Sequence, residues 1–284
     1  MNRREQIARV AHHAATEAVL RDALIALRDA GVEVMPLKGV LLRRVAYDDP
    51  AERTVGDIDL LVRGRDVRAA HEALEAAGFA PMFLEFGERQ RCFRHPRHKV
   101  LVDLHWQLFY PDYFDLDAEG LFARATRDVA GFATPVARMC PLDLYAHVLL
   151  HAGFASWSVE SPRLDDLPRV AERLAVDPAA AAAHLRAHGM DRVARYALRL
   201  ALRSPGQGHA GRVLAALGED RRADLVAAAA LALMPRLRAH PYLAYAPRRM
   251  LYRSGEEVVA NAAILSARAA RWVVRRVGLA TPPR

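Results

Sequence analysis

A chain of 284 residues, just over half of them hydrophobic, is long enough for one large domain or two modest ones with a sizeable core. A charged share of 26% excludes global disorder, and a formal charge of +8, with Arg far outnumbering Lys, suits polyanionic partners (nucleotides, nucleic acid or anionic lipid) without choosing among them. Two isolated cysteines, Cys92 and Cys140, exclude a disulfide framework and a CxxC metal site. No secretory pattern opens the chain, and the longest apolar run, Leu225 to Met234, is too short to span a bilayer, so a cytoplasmic protein without a transmembrane segment is expected.

Taken in chain order, Arg3 to Ala30 reads as a helix, with Ile7, Val10, Ala14, Ala18, Leu24, Ile25 and Leu27 at roughly helical spacing. Gly31 stands where a C-terminal cap belongs. VEVMPLKG reads as a strand despite Pro36, and Val40 to Tyr47 as a short helix. DDPAERTVG is a loop rich in turn formers, and Asp57 to Val62, DIDLLV, is a strand. Arg65 to Ala77 follows as a helix closed by Gly78. PMFLEF, RCFRH and KVLVDLHW read as three more strands. Beyond about residue 115 the strand signals fade and alanine-rich helical patterns take over. The expected division is 1–125 for a sheet-containing catalytic domain with its N-terminal helix, and 126–284 for a helical domain.

The chemistry gathers in VGDIDLLV. Side chains alternate along a strand, so Asp57 and Asp59 point the same way while Ile58 and Leu60 point into a core. Two carboxylates so close repel unless a cation screens them. Magnesium prefers such hard oxygen ligands, completed by the phosphates of a substrate. Asp103, within VLVDLHW, is a candidate third carboxylate if its strand runs beside the first. There it would accept a proton from an attacking hydroxyl or share a second metal ion.

An aspartate pair at a strand start is often only a solvated turn, so the upstream context matters. Gly39 lies at a strand-to-helix junction, where the N–H groups of a helix start receive phosphate. Lys38 adjoins it with a positive charge, and Arg53 lies four residues before Asp57. Each of these is ordinary alone. The order of strand, glycine, helix, loop, paired aspartates and strand is informative.

These residues resemble the uncharacterised nucleotidyltransferase family of the polymerase-β-like superfamily. The likeness rests on Leu37-Lys38-Gly39, Arg53, Asp57 to Val62, and Asp103-Leu104-His105-Trp106. LYAHVLLHAGF and RLDDLPRVAERL resemble helices of the same family, so the likeness spans most of residues 30–175. The superfamily usually carries Gly-Ser at the phosphate turn, whereas Val40 follows Gly39 here. The resemblance implies an α+β fold: a polymerase-β-like mixed sheet with flanking helices, then a helical C-terminal domain. It implies Mg²⁺ held by Asp57, Asp59 and Asp103, and an NTP, with ATP expected, contacted by Lys38, Gly39 and Arg53. The implied reaction moves an NMP group to an acceptor the sequence does not identify: a small molecule, peptide, protein or RNA end. The alternative is a catalytically silent nucleotidyltransferase-fold binding protein or antitoxin-like regulator; no carboxylate of the set is lost, which favours the enzyme.

Other features are weaker. His147 and His151 share a helix face, but HVLLH lacks the glutamate of the HExxH zinc motif. Asp165 and Asp166 suit a cap, a partner for a histidine, or a polar network between packed helices. His105 is read as facing away from Asp103 and as supporting rather than catalysing. Arg91, Arg94, Arg97 and Lys99 form a basic hairpin, most simply a solvated sheet edge. A basic amphipathic C-terminal stretch carrying Arg268, Arg271, Arg275 and Arg276 is read as packing its apolar face on the domain, and nucleic-acid binding is not favoured.

Overall fold

Helix α1 (Arg3–Asp29) buries a stripe of Thr16, Val19, Leu20, Ala23, Leu24 and Leu27, at the spacing one helix face requires. It ends as the sequence predicts. Gly31 takes φ of 71°, its N–H donates to the Arg28 carbonyl, and the Val32 N–H reaches back to Leu27. That pair of bonds is a Schellman closure, which needs a left-handed residue that glycine supplies without steric cost. These elements belong to a computed structural model that describes residues 3–82, 89–108, 114, 116–127, 129–155 and 164–237.

Strand β1 is only Met35–Pro36, and helix α2 (Lys38–Val45) starts two residues earlier than expected. Pro36 has no N–H to donate, so β1 is a short edge strand, antiparallel to β2 (Ile58–Leu61). Eight residues are too few for a helix to stand by itself. Val40, Leu41 and Leu42 of α2 are buried, each contributing about 2 kcal/mol, and this packing holds the helix. After β2 come α3 (Val67–Ala76), β3 (Ala80–Met82), β4 (Gln90–Arg94) and β5 (Leu101–His105). The remainder of the expected PMFLEF strand lies outside the described residues.

The five strands form one mixed sheet in the order β1-β2-β5-β4-β3. Only β2 and β5 run parallel; the other pairings are antiparallel. Ile58, Leu60, Phe93, Val102 and Leu104 are fully buried and join Leu20, Leu24 and Leu27 of α1 and Leu74 of α3 in one core. The residues alternating with them, Asp59, Cys92, Asp103 and His105, lie on the opposite face. Arg91 and Arg94 do not lie on a sheet edge as expected, because β4 is paired on both sides, with β3 and β5.

The rest is helical: α4 (Ala118–Ala123), α5 (Pro141–Ala155), α6 (Asp166–Arg173), α7 (Pro178–Ala187), α8 (Asp191–Ala201), α9 (Gly208–Ala216) and α10 (Arg221–Leu237). The chain divides into two compact units. One holds Met1–Val148 with Asp165–Ala181, and the other Leu149–Leu164 with Ala182–Arg284. Helix α6 therefore belongs with the sheet although it lies past residue 125. In the second unit, α8 buries Val193, Tyr196, Ala197, Leu198 and Leu200 and packs against α9 and α10. Its Arg195 donates to the Leu217 carbonyl at 2.8 Å. Among the described residues no helix is long and apolar enough to cross a membrane. The expected basic C-terminal helix lies outside the described residues.

Candidate active site

The centre of the site is a register. Asp59 on β2 and Asp103 on β5 are direct partners across the parallel pair, and Cys92 on β4 is the antiparallel partner of Asp103. Asp59 is buried, 1% exposed, while Asp103 is half-buried. Asp57 immediately precedes β2 and is exposed. The strand carries Asp59 into the protein and leaves Asp57 at the mouth.

Lys38 reaches this pair from the start of α2. Its Nζ lies 2.6 Å from Asp59 Oδ1. The Leu37 N–H, one residue before the helix, donates to the Asp59 backbone carbonyl at 2.9 Å, fastening the helix start to the strand. Lys38 adopts φ of 44°, a left-handed value that costs a residue with a Cβ about 1–2 kcal/mol. The ion pair with a buried carboxylate offsets that cost.

His105 corrects the expectation drawn for it. It lies two residues past Asp103 on the same strand, so strand alternation sets it on the same face. Its Nε2 is 2.9 Å from Asp59 Oδ1, and since a carboxylate only accepts, Nε2–H is the donor. Asp59, Asp103 and His105 offer ligating atoms within 4.8 Å of one another, the one such group among the described residues. The period-two spacing of Asp103 and His105 was the signal for this placement. His147 is buried and His151 exposed on α5, and neither belongs to such a group.

The electrostatics set the aspartates apart. Burial would raise the Asp59 carboxyl, but the Lys38 ammonium and the His105 hydrogen bond outweigh it and hold it well below the usual carboxylate range. Partial desolvation, then the neighbouring Asp59 charge, pushes Asp57 up, with Lys38 offsetting part of the rise. Burial works to lower Lys38, yet Asp59, Asp57 and Asp103 together raise it, so the ammonium stays charged. Burial and the Asp103 carboxylate push the Cys92 thiol up to about 12, which keeps it protonated and unreactive.

Arg53 is placed differently from the other expected residues. It is buried, and its Nε and Nη2 donate to Asp166 Oδ1 and Oδ2, both at 2.7 Å. Its Nη1 donates to the Thr54 carbonyl at 3.2 Å. The Tyr47 hydroxyl, pushed up to about 12 by burial and then by Asp166, donates to Asp166 Oδ1 at 2.7 Å. Asp166 is thus the hub of a buried polar network. Asp165 is exposed and makes no side-chain cap. Gly39 sits on this network: a Cβ there would lie 3.0 Å from Arg53 Nη1 and 3.1 Å from a Val55 methyl.

The mixed sheet thus sets three aspartates on or beside two adjacent parallel strands, with the Lys38-led start of α2 against them. The chain belongs to the uncharacterised nucleotidyltransferase family, whose sequence model matches residues 1–204. Similar solved structures include the antibiotic-resistance factor ANT(2'')-Ia, 17% identical, with 78% of this chain and 97% of that one covered and a TM-score of 0.39. Another is an antigenic nucleotidyltransferase-like protein from Paracoccidioides brasiliensis, 15% identical, covering 69% of this chain and 92% of that one, with a TM-score of 0.39. A third is a tRNA-processing enzyme in an apo form, 13% identical, covering 81% and 69%, with a TM-score of 0.30. The comparison with curated proteins returned no match.

Proposed function

We propose that the protein is a Mg²⁺-dependent enzyme that moves an NMP group from an NTP, with ATP the first donor to test, to an acceptor hydroxyl or phosphate. The observation that carries this reading is the in-register pair Asp59 and Asp103, with Asp57 at the mouth and Lys38 on Asp59. Three carboxylates make a hard oxygen donor set that fits magnesium. Among the described residues both side-chain hydrogen bonds to Asp59 fall on Oδ1, so Oδ2 is the oxygen it would offer a cation. Partial desolvation, and after it the Asp59 charge, raise Asp57, and a cation between the two carboxylates would relieve the second of these. Asp57, Asp59 and Asp103 would hold the ion. Mg²⁺ bound there would neutralise the phosphates and polarise the α-phosphate.

The chain's own groups supply the rest. The N–H groups opening α2 and the Lys38 ammonium hold the triphosphate. Asp103 accepts the proton from the acceptor hydroxyl as its oxygen bonds to the α-phosphorus. The bond from that phosphorus to the β-phosphate oxygen breaks, and pyrophosphate leaves. His105 holds Asp59 in its orientation through the Nε2–H bond to Oδ1. Catalysis of this kind is positioning and charge neutralisation, which a rigid strand pair supplies.

The test is transfer of label. The protein is incubated with Mg²⁺ and each NTP labelled at the α-phosphate in a cell lysate of its source. Labelling of a defined component, absent with EDTA or with γ-labelled NTP, is the expected result and also identifies the acceptor. Absence of α-label transfer from all four NTPs contradicts the proposal. A cytoplasmic location belongs to the same reading, since NTP and Mg²⁺ are available there.

A further inference from the structure

Arg53, expected to contact the nucleotide, is held by a residue outside the aspartate strands. Arg53 and Asp166 are 113 positions apart in sequence yet form a bidentate pair with both side chains buried. A fork-on-fork contact fixes the plane of the guanidinium as well as its position. The same Asp166 accepts from Tyr47, two residues past the end of α2. At the other end of α2 the guanidinium underlies Gly39, so close that a methyl group there would touch Nη1 at 3.0 Å. One carboxylate thus governs both ends of the helix whose first residue carries the Lys38 ammonium.

The remaining ties run the same way. The Arg169 guanidinium of α6 stacks on the Tyr47 ring, 4.4 Å from its centroid, and Arg169 pairs with Glu52 at 3.6 Å. Arg173 pairs with Asp48. Helix α6 therefore follows the 47–53 loop along its length. Of these ties, only Asp166 is buried and reaches the Gly39 turn; the others are exposed and contribute little each.

We infer that Asp166 is a positioning residue for nucleotide binding: through Arg53 it sets the Lys38-Gly39 turn at the start of α2 in the geometry that receives the triphosphate. This rests on the nucleotidyl-transfer reading above. It places Arg53 beneath the phosphate turn, not on the nucleotide itself. It also gives Gly39 a reason independent of phosphate contact, namely room for the guanidinium.

The probe is MgATP, with the other three NTPs in parallel, and the readout is the dissociation constant, with circular dichroism to confirm folding. Asp166→Asn keeps an acceptor but loses the charge and the bidentate fork. It is expected to weaken MgATP binding about tenfold or more, in the range that supporting partners of a binding site command. Arg173→Ala, which removes an exposed tie of the same helix, is expected to bind as the wild type does. Gly39→Ala is expected to weaken binding because Arg53 Nη1 must move. In combination with Arg53→Lys, which removes the guanidinium, the loss in the double variant is expected to be smaller than the product of the two single losses, since both disturb the same guanidinium. If Asp166→Asn does not fold, the Gly39→Ala and Arg53→Lys cycle decides. Wild-type binding matched within twofold by Asp166→Asn, or a cycle with no coupling, overturns the positioning role and leaves the proposed reaction standing. A wild-type protein that binds none of the four NTPs overturns both.

Discussion

Lys38 Nζ and Asp59 Oδ1 are 2.6 Å apart, and the lysine holds a left-handed backbone conformation to make that contact. An ammonium thereby occupies one side of a buried carboxylate that Asp57 and Asp103 also approach. Removing it leaves His105 as the side-chain partner of Asp59 among the described residues. Lys38→Met is expected to destabilise the protein by about 2–3 kcal/mol in EDTA, near the lower end for breaking a buried pair because Lys38 keeps some solvent contact. Added Mg²⁺ should raise the melting temperature of the variant more than that of the wild type. Equal Mg²⁺ responses in thermal denaturation would contradict a shared site.

Asp57 and Asp59 should respond to pH with opposite signs. Asp59 is depressed in the folded state, so its contribution to stability is present above its unfolded value of about 4 and is lost as pH falls toward its folded one. Asp57 is raised, so ionising it costs stability, and the cost appears as pH rises through its folded value. In EDTA at neutral pH, Asp57→Asn is expected to raise the melting temperature while Asp59→Asn lowers it. Urea titrations of the three proteins between pH 3 and 7 (about the carboxylate range and above) check both signs.

Asp103 is half-buried beside a thiol that stays protonated, so Asp103→Asn should leave the fold intact. The variant loses a proton acceptor and one carboxylate, and its transfer rate should drop by at least about a hundredfold. Pyrophosphate release with the acceptor identified by α-label transfer is the measurement. A loss confined to KM would assign Asp103 to binding alone.

The strand pair was legible because two signals coincided. DIDLLV and VLVDLH alternate polar and apolar residues with period two, and that alternation set the carboxylates opposite the core before any pairing was known. The helix α1 and its Gly31 closure were legible for the same local reason. What was not legible is non-local or a matter of counting. Asp166 and Arg53 find each other across 113 positions, which no spacing rule reaches. His105 carried a readable signal, its even separation from Asp103, and belongs with the site. Pro36 shortened β1 to two residues, which let α2 begin at Lys38 and gave the lysine, not Val40, the helix start.

In the proposed reaction Asp57 and Asp59 together hold the ion that makes nucleotidyl transfer possible. The most direct measurement is Mg²⁺-dependent pyrophosphate release in the presence of acceptor, compared between the wild type and the double variant Asp57→Asn with Asp59→Asn. Release by the wild type and none by a folded double variant is the predicted result. Undiminished release by the double variant would contradict the account.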